Sequence, residues 1–423
     1  MFKTKITIMK KNFLNAVIIT IAVLMAACSN EDEMTPATPE QPGNMKGAKT
    51  VLIYMAGRND LTDAVTPDLN EIKEGSRLLG DEDNLLVFVR SYMGSDVPWL
   101  ARIRNGQVTD SVSLTDLGIK SSDGLMRASD PMVMKGVMRY VFNRYPAATG
   151  HYGLVLWGHG TGWLINNEVK ADTRAYGVDT GDHEKFEKGL WINIPTLVEV
   201  LRGMPHLKYI MGDCCNLMCL ENLYELRDVC DYIIGSPAEI PVQGAPYDQI
   251  VPDLFADGQF YTSIIDKYYE SVDGTLPLTA VKTCEMEHVA QATRKALQAV
   301  KDNIGQSYAD MTGAIHYYYT DAHADHQQEF NIFYDAGNFF LNHASKEVYQ
   351  QWREALEKAV VARRMATWWS TDKIWRFVYS DFTVTEENFH GVSMFVPQDP
   401  TKGNYAKYNE DIRRLEWYHA VGI

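Results

Sequence analysis

Residues Tyr209–Leu226 read YIMGDCCNLMCLENLYEL. An apolar run from Leu207 to Met211 stops at Gly212-Asp213 and meets two adjacent cysteines, Cys214 and Cys215. A short apolar run of this kind suits a strand buried on both faces of a parallel sheet. Leu217, Leu220, Leu223 and Tyr224 then recur at helical spacing, which predicts a helix over 216–229. The same pattern occurs upstream, where YGLVLWGHGTGW (Tyr152–Trp163) gives a strand over 152–157 that ends at Gly158-His159-Gly160.

Working outward, Thr50–Met55 in TVLIYMAGRNDL, Asn84–Tyr92 and Tyr232–Gly235 read as further buried strands. Asn105-Gly106 sits between alternating residues of Leu100–Val112 and predicts a hairpin. Asp130-Pro131 opens a helix to about 145, with the aspartate as cap and the proline in the first position. Another helix is expected over 195–201, a long polar loop over 164–189 and a Pro/Gly-punctuated loop from Ser236 to Tyr247. The final third reads as helices over 287–304 and 346–367 and strands over 277–282 and 391–396. Alternating strands and helices predict an α/β fold: a mostly parallel central sheet flanked by helices, with a more helical C-terminal part.

The ends carry other information. Residues 1–27 have a basic start (Lys3, Lys5, Lys10, Lys11) and an uncharged apolar run, Phe13 to Ala26, and read as a secretory signal. The run stops at LMAAC and resembles a bacterial lipobox, with Met25 where leucine is usual; this makes Cys28 the expected lipidation site and a membrane anchor. Residues 28–48 hold Pro36, Pro39 and Pro42 and few apolar residues, and read as an extended tether. The SNEDE after Cys28 resembles the export signal of some Bacteroidetes surface lipoproteins, so an exported outer-membrane location is expected.

From 49 to 423 the chain reads as one domain, a motif-bearing core over 49–285 and an extension over 286–423. Of 40 basic residues four lie in the signal, which leaves 36 against 55 acids and a formal charge of −19. That argues against a nucleic-acid partner and is compatible with a cationic substrate. Cys214, Cys215, Cys219, Cys230 and Cys284 are odd in number and clustered, unlike a disulfide framework, and read as reduced.

His159 and Cys215 each follow a buried strand. In open α/β sheets, sites form outside the carboxyl ends of the strands, so neighbouring strands would put both on one rim. An imidazole beside a thiol is the pairing that activates a sulfur nucleophile. Gly158, Gly160 and Gly162 let a substrate backbone approach, and the Gly160 amide and the Cys215 amide, the latter read as a helix start, are the expected oxyanion donors. Either loop alone also fits a plain turn residue or a core cysteine. A zinc site from Cys214, Cys215, Cys219 and Cys230 lacks the usual paired spacing, and His323 and His326 read as an exposed helix start; no metal is expected.

GLVLWGHGTGW and DCCN…ELRDVCDYIIGSPAEIP together resemble the two signature regions of the clostripain-like cysteine peptidases, within the wider group of caspase and gingipain fold. The likeness runs from about Thr50 to Ile250, with an echo at HGVSMFVP. It implies a cysteine endopeptidase acting on protein or peptide substrates, with His159 as base, Cys215 as nucleophile, Cys214 in place of the usual alanine and Glu221 matching a glutamate of the next helix. It also implies that Asp213 selects Arg or Lys at P1, although PVQGAP departs from the acidic, aromatic loop usual near that pocket. Members of this kind can depend on calcium, but no calcium loop is found and no cofactor is expected. Lys170 and Arg174, in the polar loop NNEVKADTRAYG, are expected autocleavage sites. The alternatives are an inactive peptide-binding protein and a glycan-system surface lipoprotein using Trp368, Trp369 and Trp375.

Overall fold

The computed structural model describes residues 45–92, 97–165, 176–181, 189–305, 307–317, 332–367, 369 and 382–423. The expected signal over 1–27, Cys28, Lys170, Arg174, His323, His326, Trp368 and Trp375 lie outside the described residues. Residues 44–423 form one compact unit.

Among the described residues, the central sheet has nine strands in the order β12-β10-β9-β8-β5-β1-β2-β3-β4. Its middle is parallel: β9 (Cys230–Gly235), β8 (Leu207–Asp213), β5 (Ala147–Gly158), β1 (Gly47–Gly57) and β2 (Asn84–Ser91). β1 opens at Gly47, two residues inside the stretch read as tether. One side ends in the antiparallel pair β3 (Trp99–Arg104) and β4 (Gln107–Ser113), the other in antiparallel β10 (Leu278–Lys282) and β12 (Val360–Arg364).

Both faces of the sheet are buried, and the strand period of two sorts the side chains between them. Val51, Ile53 and Met55 of β1 pack with α1 (Thr62–Ser76), α5 (Tyr247–Leu254) and α6 (Phe260–Ser271). Leu52, Tyr54 and Ala56 pack with α2 (Pro131–Arg144), α3 (Ile194–Arg202), α4 (Leu220–Glu225) and α7 (Met286–Ile304). The remaining helices among the described residues are α8 (Ala336–His343), α9 (Lys346–Ala359), α10 (Tyr405–Asp411) and α11 (Glu416–Val421).

Local chemistry sets several boundaries. Asn105 and Gly106 have φ of 46° and 75°, the left-handed pair that turns a two-residue hairpin. Asp130 caps α2 by accepting from the Met132 amide at 2.8 Å, with Pro131 next in line. The helix expected over 346–367 ends at Ala359, because the β-branched Val360-Val361 continues as an edge strand on β10; its Arg363 and Arg364 discourage further pairing. The loop expected over 164–189 contains a short strand, β6 (Tyr176–Asp179), which pairs antiparallel with β7 (Leu190–Ile192) just beyond it.

The strand expected over 391–396 is reduced to β13 (Ser393–Met394), paired with β11 (Tyr334–Asp335). Buried Asp335 fixes this region by accepting from the amides of His390, Gly391 and Asn338 and from His390 Nδ1. The segment then runs along the chain after Cys215: the Ser393 amide donates to the Met218 carbonyl at 3.0 Å, and the Phe395 amide to Glu221 Oε1 at 2.7 Å. Asp130→Ala should cost roughly 0.5–2 kcal/mol through the lost cap, read as a lower urea midpoint with an unchanged slope.

Candidate active site

β5 and β8 pair with Trp157 opposite Asp213, so His159 and Cys215, each two residues on, leave the sheet at the same edge. The two loops touch. A Cβ added at Gly160 would lie 2.6 Å from the Cys215 carbonyl oxygen and 3.2 Å from Cys214 Sγ, so only glycine fits between them. The structure thus brings His159, Gly160, Asp213 and Cys215 to one place.

Alternation along β8 distributes the neighbouring side chains. Asp213 turns to the α5–α6 face, and Cys214 is buried in the opposite core. Cys215 is half-buried at the rim, where its Sγ accepts from the Ile240 amide at 3.4 Å. Cys219 and Cys230 are core residues and Cys284 is exposed; all five are free thiols.

The helix expected over 216–229 is α4 alone, Leu220–Glu225, so the Cys215 amide does not open a helix. Asn216 is left-handed, with φ of 56°, and the following amides are taken by other segments: Asn216 donates to the Ala238 carbonyl and Met218 to Ser236. Cys219 bridges to Ser393. Hydrogen bonds to other segments of the chain outcompete helical ones until Leu220. Glu221 is buried in the first turn of α4, and burial pushes its carboxyl up to about 7.

Asp213 is wholly enclosed. Tyr247 Oη donates to it at 2.8 Å, Tyr268 Oη at 2.9 Å and the Ala245 amide at 3.1 Å. Burial raises its pKa, and these three donors oppose the rise. Two more acids from α1, which the sequence reading did not single out, stand behind it. Asp68 Oδ2 accepts from Trp157 Nε1 at 2.6 Å, and Glu71 Oε2 accepts from the Tyr247 amide at 3.1 Å. Burial first, then the charges of Asp213 and Glu71, push Asp68 up to about 8; burial likewise raises Glu71. Among the described residues, none of the three carboxylates pairs with a lysine or arginine.

His159 Nε2 lies 2.6 Å from Asp60 Oδ1. Asp60 was also missed, although it follows β1, the strand next to β5, at the same edge. The Trp191 ring stands 6.2 Å from the imidazole. Burial pushes the Cys215 thiol up, helped by the charges of Glu239 and Asp213 and opposed by the Ile240 amide. Glu239 is itself raised to about 7 by burial. Burial and like charge thus favour the thiol form of Cys215 over the thiolate.

No group of three histidine, cysteine or acidic side chains suited to a metal occurs among the described residues. No helix among them is long and apolar enough to cross a membrane. Trp369, named above as a sugar platform, is buried against Tyr317 at 5.1 Å.

Residues 53–422 match the model of the clostripain family. The fold is that of a secreted C11 cysteine protease from Bacteroides thetaiotaomicron, solved with an irreversible peptide inhibitor: 29% identity, TM-score 0.68, covering 89% of this chain and 99% of that one. It is similar also to an inactive zymogen C11 protease from Parabacteroides distasonis, at 24% identity and TM-score 0.68, covering 92% and 99%. A search of curated proteins gives no match.

A Cβ at position 160 must push the Cys215 backbone away from His159. Gly160→Ala should slow peptide hydrolysis roughly a hundredfold, the cost of an ångström-scale misplacement. Gly80→Ala, with nothing within 4 Å of its added Cβ, should leave the rate unchanged. Equal rates for all three proteins would mean that the contact does not set the site.

Proposed function

The chain belongs to the clostripain family, and from that premise we propose that it is a cysteine endopeptidase working through a His159–Cys215 dyad with a preference for Arg or Lys at P1. The observation that carries this reading is the contact of Gly160 with the Cys215 backbone, which joins the two loops at one sheet edge. Because the resting sulfur is a thiol, His159 acts as general base. It takes the proton as Sγ bonds to the scissile carbonyl carbon, and the amides of Gly160 and Cys215 hold the oxyanion. His159 then protonates the leaving amine as the C–N bond breaks, and water hydrolyses the thioester. Every group used belongs to this chain, and no cofactor is assigned.

Buried Asp213 and Asp68 and half-buried Glu71 have no basic partner among the described residues, which supports a cationic P1 side chain at Asp213, with Asp68 and Glu71 reinforcing the potential. Uncompensated charge in a sheltered place is costly, and a guanidinium or ammonium would offset it. For the segment holding Lys170 and Arg174, the proposal is self-cleavage; β6 follows it directly and bridges to Gly160 at Tyr176. For Cys28 it is lipid attachment and outer-membrane anchoring, and Cys28→Ser should abolish incorporation of labelled fatty acid.

Cys215→Ala should abolish hydrolysis of peptide substrates, while Cys214→Ala, a core change, should keep it. A dead Cys214→Ala with an active Cys215→Ala would overturn the assignment, and absence of labelling of Cys215 by a thiol-reactive peptide would favour an inactive peptide-binding protein. Incubated wild type should fragment between His159 and Cys215 and Cys215→Ala should not.

Asp213→Asn should lower turnover of Arg and Lys substrates roughly tenfold to hundredfold more than neutral ones, the worth of a charge-assisted bond. The preference also depends on pH. Asp68 and Asp213 are raised, so protons discharge the pocket on the acid side, and ionisation restores its charge as pH rises through about 8 for Asp68. The basic-to-neutral ratio of kcat/KM should climb between about pH 6 and 9 and climb less in Asp68→Asn. A ratio flat with pH in wild type would remove the pocket from this role.

A further inference from the structure

We propose that Asp60 is the positioning residue of His159, and that β6, the strand following residues 166–175, holds the two together. The proposal rests on the dyad assigned above and adds a third group to it.

The pair is set for proton transfer. With Nε2 donating to the Asp60 carboxylate at 2.6 Å, the neutral imidazole carries its proton on Nε2 and its lone pair on Nδ1. Nδ1 is then the nitrogen that accepts the Cys215 proton. As that proton arrives the ring becomes an imidazolium, and the carboxylate on its far side stabilises the new charge without taking a proton itself. Turning the ring would lose this bond, so Asp60 also fixes the orientation of Nδ1.

Asp60 is 68% exposed, and a surface pair of this kind contributes little stability by itself. What holds it is the backbone on either side. Asn59 Oδ1 accepts from the Leu61 amide at 2.8 Å, a local turn that presents Asp60. Asn59 Nδ2 donates to the carbonyls of Ala56 and, on β6, Val178, at 2.9 and 2.7 Å. The Thr180 amide and hydroxyl both donate to the Arg58 carbonyl, at 3.1 and 2.9 Å. The Gly177 amide donates to the His159 carbonyl at 2.8 Å. β6 and the next residue, Thr180, therefore grip Arg58 and Asn59, just before Asp60, and the backbone of His159, and so set their separation.

β6 has its own anchors. Tyr176 Oη donates to the carbonyls of Tyr54 and Trp157. The buried Asp179 carboxylate accepts from the amides of Ala128 and Gly181, at 2.7 and 2.8 Å, and faces Arg90 at 3.4 Å. None of these anchors lies in 166–175, so a break there leaves the clamp on His159 in place.

The test uses the full mature chain with Asp60→Asn, Asp60→Glu and Asn59→Ala, folding being verified by circular dichroism. Asp60→Asn should lower kcat roughly tenfold to hundredfold, the range met when the carboxylate partner of a metal-bound histidine is removed, with KM and melting temperature unchanged. Asp60→Glu should recover part of the loss, and Asn59→Ala should lose kcat in the same way as Asp60→Asn. Nitrogen NMR of His159 in the Cys215→Ala background should show the proton on Nε2, with that tautomer less populated in Asp60→Asn. A kcat within about twofold of wild type in Asp60→Asn, with the tautomer unmoved, overturns the role of Asp60. Full kcat in Asn59→Ala overturns that of β6. A wild type without hydrolysis would sink the peptidase reading instead, and the tautomer would still decide the Asp60 pair.

Discussion

The parallel pairing of β5 with β8 is the constraint on which the rest of the site depends. With Trp157 opposite Asp213, the strands end level, and the next residues of each must leave the sheet side by side. A shift of one residue would exchange the faces of Asp213 and Cys214, putting a carboxylate into the apolar core and a thiol against Tyr247 and Tyr268. The register is enforced by burial on both faces and by Gly160, whose lack of a side chain lets the His159 loop lie against the Cys215 carbonyl. Segments distant in sequence close around this seam: Ser393 and Phe395 bond to the residues after Cys215, and β6 bonds to His159.

The parallel sheet was legible in the sequence because its strands are short, apolar and end in polar turns, a local signal. The strand ends that carry His159 and Cys215 were legible for the same reason, whereas a role for Asp213 came only from the family resemblance. What was not legible depends on distant partners. The helix expected after Cys215 fails because Ala238, Ser236 and Ser393 claim the backbone from Asn216 to Cys219. α1 escaped because Pro67 lies inside it and only Val65 and Ile72 give it buried apolar side chains. With α1 unseen, Asp68 and Glu71 could not be placed behind Asp213. Val360–Arg364 continues the helical pattern of α9, yet the open edge of β10 draws it into the sheet.

The two halves of the site are electrically opposed. Asp213, with buried Asp68 and half-buried Glu71 behind it, makes an acidic region whose carboxyls burial pushes toward the neutral form, and Glu239 adds another carboxyl near the sulfur. Forming a thiolate there costs more than in water, since burial and like charge both favour the thiol. A cysteine poised to react with any electrophile would be lowered, not raised. On the proposed reading, this arrangement restrains Cys215 in the empty site and leaves proton removal to His159.

Under the proposed reading, the substrate relieves that restraint. Asp213 is one of the charges that raise the Cys215 thiol. A guanidinium or ammonium seated on Asp213 cancels its field at the sulfur, so occupancy of the pocket makes loss of the thiol proton easier. A neutral P1 side chain filling the same space leaves the field uncancelled. Selection for Arg or Lys would then be expressed in kcat as well as in KM, because the cation lowers the energy of the charged sulfur that forms on the way to the thioester. The buried acids thus serve both recognition and restraint, and the bond that identifies the substrate is the one that releases the nucleophile.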